Sequence, residues 1–503
     1  MELGLIVQTD PVVGKNLASK RHRPDVPCTE GTPDSTIQTD DEVRHAGADY
    51  RPEDGRQGPP TPIASSQADS DPMPDGRRRL CEPHAAPPPT PASPESHPML
   101  WQPPLPESHL RLEASEIARR IESRRSELGS DLLILGHHYQ QDDVVRHADL
   151  TGDSLKLSRL AADEAVARAA RHLVFCGVHF MAETADLLTP DEVEVILPDL
   201  SAGCSMADMA QWDDVVEAWE SIEAVHRSAS PSGVPLTRVV PITYVNSTAA
   251  IKAFVGARGG ACCTSSNAEQ VFAWALAGGA EPLLPGQRVQ VLFLPDQHLG
   301  RNTAKRAGFL TEVDAARQGG RAETAVWNPR KELGGLDEST VRDASVLLWA
   351  GHCSVHKLFR PEHVEEIRAA NDGTQVIVHP ECCQEVVDLA DRAGSTEFIV
   401  KEIEQAEAGT RWAVGTEIHL VSRLAKAAAA RGVEVRILSD CQCLCTTMYR
   451  IDPPHLLWTL DQLADRRVVN RIVVHRDARA DAIKALDRML DLVERPMSAV
   501  AVD

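Results

Sequence analysis

One arrangement of residues occurs three times along this chain, and it constrains the fold more than any other feature. Each copy opens with an apolar run that ends in a polar cluster. The runs are Leu132–Gly136 before His137-His138-Tyr139, Val239–Thr243 before Tyr244-Val245-Asn246, and Gln375–Val378 before His379-Pro380-Glu381. A helical stretch follows, then a serine at a turn or helix start: Ser154, Ser265 and Ser395. Further on, another apolar run ends at a cysteine: Cys204, Cys353 and Cys445. His137 to Ser154 is 17 residues and His379 to Ser395 is 16, while Ser154 to Cys204 and Ser395 to Cys445 are both 50. The middle copy runs 88 residues from Ser265 to Cys353, because it carries an insertion. Three similar units, each delivering one thiol, point to a single three-thiolate site where they meet.

Within each unit short apolar runs alternate with longer helical patterns, the signature of βαβ units and a parallel sheet. Strands are expected at Leu132–Leu135, His172–Cys176 and Glu194–Leu197 in the first unit, whose helix carries Leu157, Leu160, Ala161 and Ala165 on one face. In the second they end at Thr243, Cys263, Leu294 and Trp349, and in the third at Val378, Val414 and Leu438. Glu397-Phe398-Ile399-Val400 fits either a strand or the first turn after Ser395, and is read as helix. The fold class is therefore α/β. The units span residues 109–205, 206–354 and 355–446, with an extra polar, Gly-rich piece near 309–340 expected as a surface excursion. Residues 447–503 carry helices at His455–Leu463 and Ala478–Val493 that should pack back on the units. Residues 1–108, rich in Pro, Asp, Ser and Arg, are expected to be a disordered extension.

Composition narrows the function classes. A length of 503 residues suits several domains, and the apolar fraction of 42% is enough for buried cores. A net charge of −22 argues against a nucleic-acid partner. No apolar segment reaches the roughly 20 residues needed to cross a bilayer. The N-terminus lacks the basic and apolar regions of a signal peptide. Twelve cysteines without an export signal point to a reducing compartment, and hence to the cytoplasm.

In open parallel sheets ligands bind at the carboxyl ends of strands, where His137, Tyr139, Tyr244, Asn246, His379 and Glu381 fall. Ser154, Ser265 and Ser395 each stand just ahead of a helix, whose free N–H groups bind phosphate or carboxylate. A single such serine is commonly only an N-cap; three at matching places beside strand-end polar groups indicate an anion site. The cysteines show neither a CxxC…CxxC zinc pattern nor a ferredoxin spacing. Three separated thiols suit an iron–sulfur cluster with one iron lacking a protein thiolate, with structural thiols or zinc as the alternatives.

These residues together resemble the quinolinate synthase (quinolinate synthetase A protein) family. The resemblance rests on Gly136-His-His-Tyr-Gln140, Gly152-Asp-Ser154, Phe180-Met-Ala-Glu-Thr184, Tyr244-Val-Asn246, Thr264-Ser-Ser-Asn-Ala268, Phe293-Leu-Pro-Asp296, Gly351-His-Cys-Ser-Val-His356, His379-Pro-Glu381, Gly415-Thr-Glu417 and Cys445-Thr-Thr-Met448. It implies three similar αβα, Rossmann-like domains around a pseudo-threefold axis. The implied reaction condenses iminoaspartate with dihydroxyacetone phosphate to quinolinate, with loss of phosphate and water, in NAD biosynthesis. A [4Fe–4S] cluster would be held by Cys204, Cys353 and Cys445. By the same resemblance Ser154, Ser265, Ser395 and Thr396 would hold phosphate or carboxylates, and His137 and His379 would orient oxyanions. Tyr139 and Glu381 would act as acid and base, with Tyr244 and Asn246 contacting the intermediate. Functional coupling to L-aspartate oxidase is a further expectation.

Cys441 and Cys443 lie close enough to Cys445 to offer a ligand swap or a redox pair; Met448 and the repeated 50-residue spacing favour Cys445. Cys262-Cys263 and Cys382-Cys383 fall off the threefold pattern and are read as buried. Two rival readings are a metal-free lyase-like enzyme with structural cysteines, and a non-enzymatic iron–sulfur sensor, which has no need of paired strand-end His, Tyr and Glu.

Overall fold

The computed structural model describes residues 102–230, 236–440 and 443–494. Three parallel sheets carry the fold. The first is built from β1 (Leu132–His137), β2 (Leu150–Gly152), β3 (His172–Cys176) and β4 (Glu194–Ile196) in the order β2-β1-β3-β4. The second contains β5 (Thr237–Tyr244), β6 (Ala261–Cys263), β7 (Arg288–Leu294), β8 (Thr324–Trp327) and β9 (Val346–Trp349), ordered β6-β5-β7-β9-β8. The third, β10 (Gln375–Val378), β11 (Arg392–Ala393), β12 (Arg411–Gly415) and β13 (Glu434–Ile437), repeats the order of the first as β11-β10-β12-β13. Apart from β8, the three sheets share one topology. The sequence repeat is a structural repeat of α/β units.

The strands are short apolar runs because helices cover both faces of a parallel sheet. All six residues of β1 are buried, as are the last five of β5 and of β7. In this strand order the chain reverses direction across the sheet between the first and third strands of each unit. The loops leaving β1 and β3, β5 and β7, and β10 and β12 therefore open the crevice in which such sheets bind ligands. The stretch after Ser395 is helical, running Thr396–Glu404 with Ser395 as its N-cap.

Three features differ from the sequence reading. Residues 309–340 are more than a surface excursion: they contain helix Glu312–Gln318 and β8, which pairs with β9 from Thr324↔Val346 to Trp327↔Trp349. The segment also reaches the third unit, where Thr311 donates to Gln384 Oε1 at 2.8 Å. Four strand residues flanked by charges and by Gly319-Gly320 gave too weak an apolar signal to read. The edge strands β2 and β11, of three and two residues, were likewise missed. Finally, the expected disordered extension lies outside the described residues only as far as 101. Gln102 Oε1 accepts from Leu200 N at 3.2 Å and from Asn470 Nδ2 at 2.9 Å, and Leu105 is buried.

Each of the two C-terminal helices packs on an earlier helix. Pro453–Ala464 lies against helix Ala114–Leu128, and Arg476–Glu494 lies along helix Ala249–Ala257. Arg488 fixes the second contact by donating to the Gly256 and Gly260 carbonyls at 3.0 and 2.6 Å. None of the described helices is long and apolar enough to cross a membrane.

Candidate active site where the three units meet

Equivalent loops from the three units converge on one cavity. Its wall includes His137, Tyr139 and Ser154 from the first unit, Tyr244, Asn246 and Ser265 from the second, and His379, Glu381 and Thr396 from the third. Cys204, Cys353 and Cys445 line the same cavity. Ser395 is absent from the wall: it is buried, and its hydroxyl accepts from Phe398 N as the cap of its helix. Thr396, one residue on, presents its hydroxyl to Tyr139 instead, at 3.1 Å.

The three cysteines sit in one local structure. A 3₁₀ turn starts three residues after each, at Ala207–Met209, His356–Leu358 and Met448–Arg450. In every copy the cysteine carbonyl accepts from the amide four residues on: Asp208 at 3.0 Å, Lys357 at 3.1 Å and Tyr449 at 3.0 Å. The turn aims main-chain N–H groups at the sulfur, from Ala207 and Met206 to Cys204, from His356 to Cys353, and from Met448 and Thr447 to Cys445. Such donors favour thiolate. Burial opposes them and wins, pushing Cys204 up to about 12 and raising Cys353 and Cys445 as well. The sulfurs also oppose each other's ionisation: Cys445 acts on Cys204, and both act on Cys353. A shared positive centre would favour ionisation of all three, and each has amide donors already aimed at its sulfur. That donor set fits a thiolate-bound metal centre.

None of the other described cysteines lines the cavity. Cys176, Cys262, Cys263, Cys382 and Cys443 are buried. Cys443 contacts the Ser439 hydroxyl at 3.1 Å in the third unit's core and does not line the cavity, and neither does the half-buried Cys383. Cys441 lies outside the described residues.

The polar wall is a connected chain. Glu381 accepts from His356 Nδ1 at 2.7 Å, His356 Nε2 meets Thr416 Oγ1 at 3.1 Å, and Thr416 Oγ1 meets Tyr139 Oη at 2.9 Å. Burial opposes charge on Glu381, but His356, His379 and a hydrogen bond from Tyr244 outweigh it and hold the carboxyl below the usual range. Burial first, then the Glu381 charge, drive the Tyr139 and Tyr244 hydroxyls well above their ordinary value, so both stay protonated. Burial also pushes His137 and His379 down to about 3, leaving neutral rings. In each ring Nδ1 accepts a main-chain N–H two residues on, from Tyr139 at 3.1 Å and Glu381 at 3.3 Å. Nε2–H is then the donor that each ring can offer. Asn246 Oδ1 is buried and has no hydrogen-bond partner among the described residues.

Sequence reasoning assigned no role to His356 or Thr416, although both stand in segments it singled out. His356 is three residues from Cys353, so the thiol drew attention away from it. Cys353, His356 and Glu381 offer three ligand atoms within 4.8 Å of one another, a set able to hold a metal ion. Both ring nitrogens of His356 are engaged by Glu381 and Thr416, however, so a metal on this trio would have to break the chain.

Fold and cavity together define an α/β protein whose strand-end chemistry is directed at a small polar molecule shared by three units. More particularly, the chain belongs to the quinolinate synthetase A protein family, whose model matches residues 119–491. It is 50% identical over 384 residues to a quinolinate synthase of Acidobacterium capsulatum, covering 76% of this chain and 95% of that one. A quinolinate synthase of Streptomyces coelicolor is 48% identical over 377 residues, covering 75% and 88%. One from Anoxybacillus flavithermus is 47% identical over 386 residues, covering 77% and 96%.

Proposed function

We propose that this protein is a quinolinate synthase. In this reading it condenses iminoaspartate with dihydroxyacetone phosphate, releasing one phosphate and two waters to give quinolinate for NAD biosynthesis, without net oxidation. The observation that carries the reading is the convergence of three equivalent thiols and one hydroxyl–imidazole–carboxylate chain on a single cavity. Family membership supplies the substrates.

Cys204, Cys353 and Cys445 would hold a [4Fe–4S] cluster. Bound there, it would supply a Lewis-acidic iron that polarises a substrate oxygen and eases loss of water. The rest is the work of side chains. Ser154, Ser265 and Thr396 lie at or beside the N-termini of helices Ser154–Arg168, Ala268–Leu276 and Thr396–Glu404, where hydroxyls and amides bind phosphate and carboxylate groups. Ser395 contributes by fixing the last of these. His137 and His379 donate from Nε2 to developing oxyanions. Tyr139 Oη gives a proton to a departing hydroxyl, or takes one from carbon after passing its own through Thr416 Oγ1 to His356 Nε2. Glu381 stabilises the imidazolium so formed. Tyr244 and Asn246 orient the intermediate from the opposite wall. The imine is short-lived in water, so the reading includes functional coupling to L-aspartate oxidase, in the cytoplasm.

The test is an anaerobic assay of reconstituted protein with the two substrates. Quinolinate should form, with a visible iron–sulfur absorbance that disappears together with activity in Cys353→Ser. A colourless, fully active enzyme would remove the metal role, and a coloured protein that forms no quinolinate would remove the proposed reaction.

A further inference from the structure

A second cavity, of about 260 Å³, shares Ser265 with the first and none of its other walls. Part of its lining is the start of helix Ala268–Leu276, with the residues from Asn267 to Gln270 all facing it. Helix Gln297–Arg306 adds Asn302 and Arg306. Apart from Ser265, the chemistry proposed above uses none of this lining.

A helix begins with main-chain N–H groups that have no carbonyl one turn earlier to bond. Among the described residues the amides of Ala268, Glu269 and Gln270 have no hydrogen-bond partner. Asn267 is placed to cap them, but its side chain turns away: Oδ1 accepts from Thr264 N at 2.7 Å and from Thr264 Oγ1 at 3.0 Å. Thr264 lines the first cavity and not the second, so the carboxamide is fixed with Nδ2 left for the second. That atom is buried without a partner, on a residue only 3% exposed. Asn302, equally buried at 3%, is its complement. Its Nδ2 donates to the Pro380 and Cys382 carbonyls, and Oδ1 is left without a partner. One cavity thus carries an orphaned buried donor and an orphaned buried acceptor, a deficit that a bound polar molecule would relieve. Arg306 brings positive charge. It donates to Glu269 at 2.8 Å and to the Ala393 carbonyl at 3.3 Å, and keeps further N–H donors. Glu269 is the opposing charge in the lining, offset by this pair.

We propose that the second cavity is a binding site for inorganic phosphate. The helix-start amides, Asn267 Nδ2 and Arg306 supply donors to the oxyanion. Asn302 Oδ1 requires a donor in return. Near neutral pH inorganic phosphate keeps at least one P–O–H, whereas the phosphoryl group of a phosphomonoester above its second ionisation keeps none. The acceptor therefore selects the free ion over a phosphorylated substrate. Only the ion's origin rests on the reaction proposed above, which releases phosphate in the cavity that shares Ser265; the site itself does not.

The test is calorimetric titration of full-length, anaerobically reconstituted protein with inorganic phosphate at about pH 8. Ser154→Ala, altered in the first cavity alone, should keep a phosphate site of wild-type affinity. Arg306→Met should weaken that site about 10-fold or more, as loss of a charge-assisted hydrogen bond does. Glu269→Gln removes the opposing charge and should tighten it, which keeps the proposal testable should Arg306→Met fail to fold. Sulfate and methyl phosphate, which offer no O–H there, should bind more weakly than phosphate. A wild type that binds no phosphate overturns the proposal, as water alone would then fill the cavity. Binding that vanishes in Ser154→Ala and is untouched by Arg306→Met and Glu269→Gln also overturns it, since it belongs to the first cavity. Sulfate or methyl phosphate bound as tightly as phosphate overturns the assignment to the free ion. A protein with this phosphate site that forms no quinolinate would refute the proposed reaction alone; one that forms quinolinate without the site would refute this inference alone.

Discussion

Tyr139 and Glu381 occupy equivalent strand-end positions, two residues after His137 and His379, yet the protein gives them opposite proton states. Tyr139 is held as a phenol by burial and by the Glu381 charge, while Glu381 is held as a carboxylate by the two histidines around it. Thr416 and His356 join them, so proton release at one end is coupled to charge at the other. Tyr139→Phe should lower kcat by about 10²–10⁴-fold, the range for loss of a positioned acid–base group. His356→Asn should approach the same loss. The double variant should be little worse than either, because groups that act as one unit are not additive. Losses that multiply in steady-state kinetics would break the chain into independent parts. The same proton states predict the pH dependence. His137 and His379, at about 3, are already neutral at pH 7, and the tyrosine hydroxyls titrate well above 10. Glu381 is already ionised, its carboxyl lying below the usual range. At saturating substrate kcat should therefore be flat from about pH 7, above the second ionisation of a phosphomonoester, to about 9. Glu417, raised to about 8 by burial, titrates inside this window but caps a helix outside the cavity wall. An alkaline or acid limb in that window that persists in Glu417→Gln would place a titrating group in the cavity.

At the scale of elements, what the sequence made legible follows from signal strength. β1, β5 and β7 were readable because burial on both faces demands unbroken apolar runs, and the spacing from serine to cysteine exposed the repeat. β8, β2 and β11 were not, since two to four residues at a sheet edge need little hydrophobicity to pair. The 3₁₀ turn behind each cysteine was also silent, because a turn of three residues made by main-chain hydrogen bonds imposes no side-chain pattern. Helix packing left a clearer trace in small residues. A Cβ on Gly256 would fall 1.8 Å from the Asp481 carbonyl oxygen, so the helix Ala249–Ala257 meets the C-terminal helix backbone to backbone. Gly256→Ala should destabilise by about 1–3 kcal/mol, as overpacking does, despite alanine's better helix propensity. Chemical denaturation checks this: an unchanged midpoint would mean that the two helices separate freely.

The whole molecule places its cavity loops by reaching across units. Three thiols and a polar wall could be anticipated from residue types, but the clamps that align them join residues tens to hundreds of positions apart, which no local pattern encodes. Arg423 of the third unit donates to the carbonyls of His138 and Gln140, the two residues flanking Tyr139. Asn302 of the second donates to the carbonyls of Pro380 and Cys382, which flank Glu381, at 2.8 and 3.0 Å. The first unit's Glu183 accepts from Ala249 N, at the start of the helix after Asn246. Neither Arg423 nor Asn302 lines the cavity. If alignment between units sets the rate, removing one clamp should injure turnover more than stability would explain. Asn302→Ala strands two buried carbonyls, each worth about 1–3 kcal/mol, and frees the Glu381 loop to drift. A displacement of about 1 Å in such a group can lower the rate about 10²-fold. The expected outcome is a folded protein with KM near wild type, but kcat reduced about 10–10²-fold. Full activity in a measurably destabilised variant would show that the units locate their loops independently, and that the clamp serves stability alone.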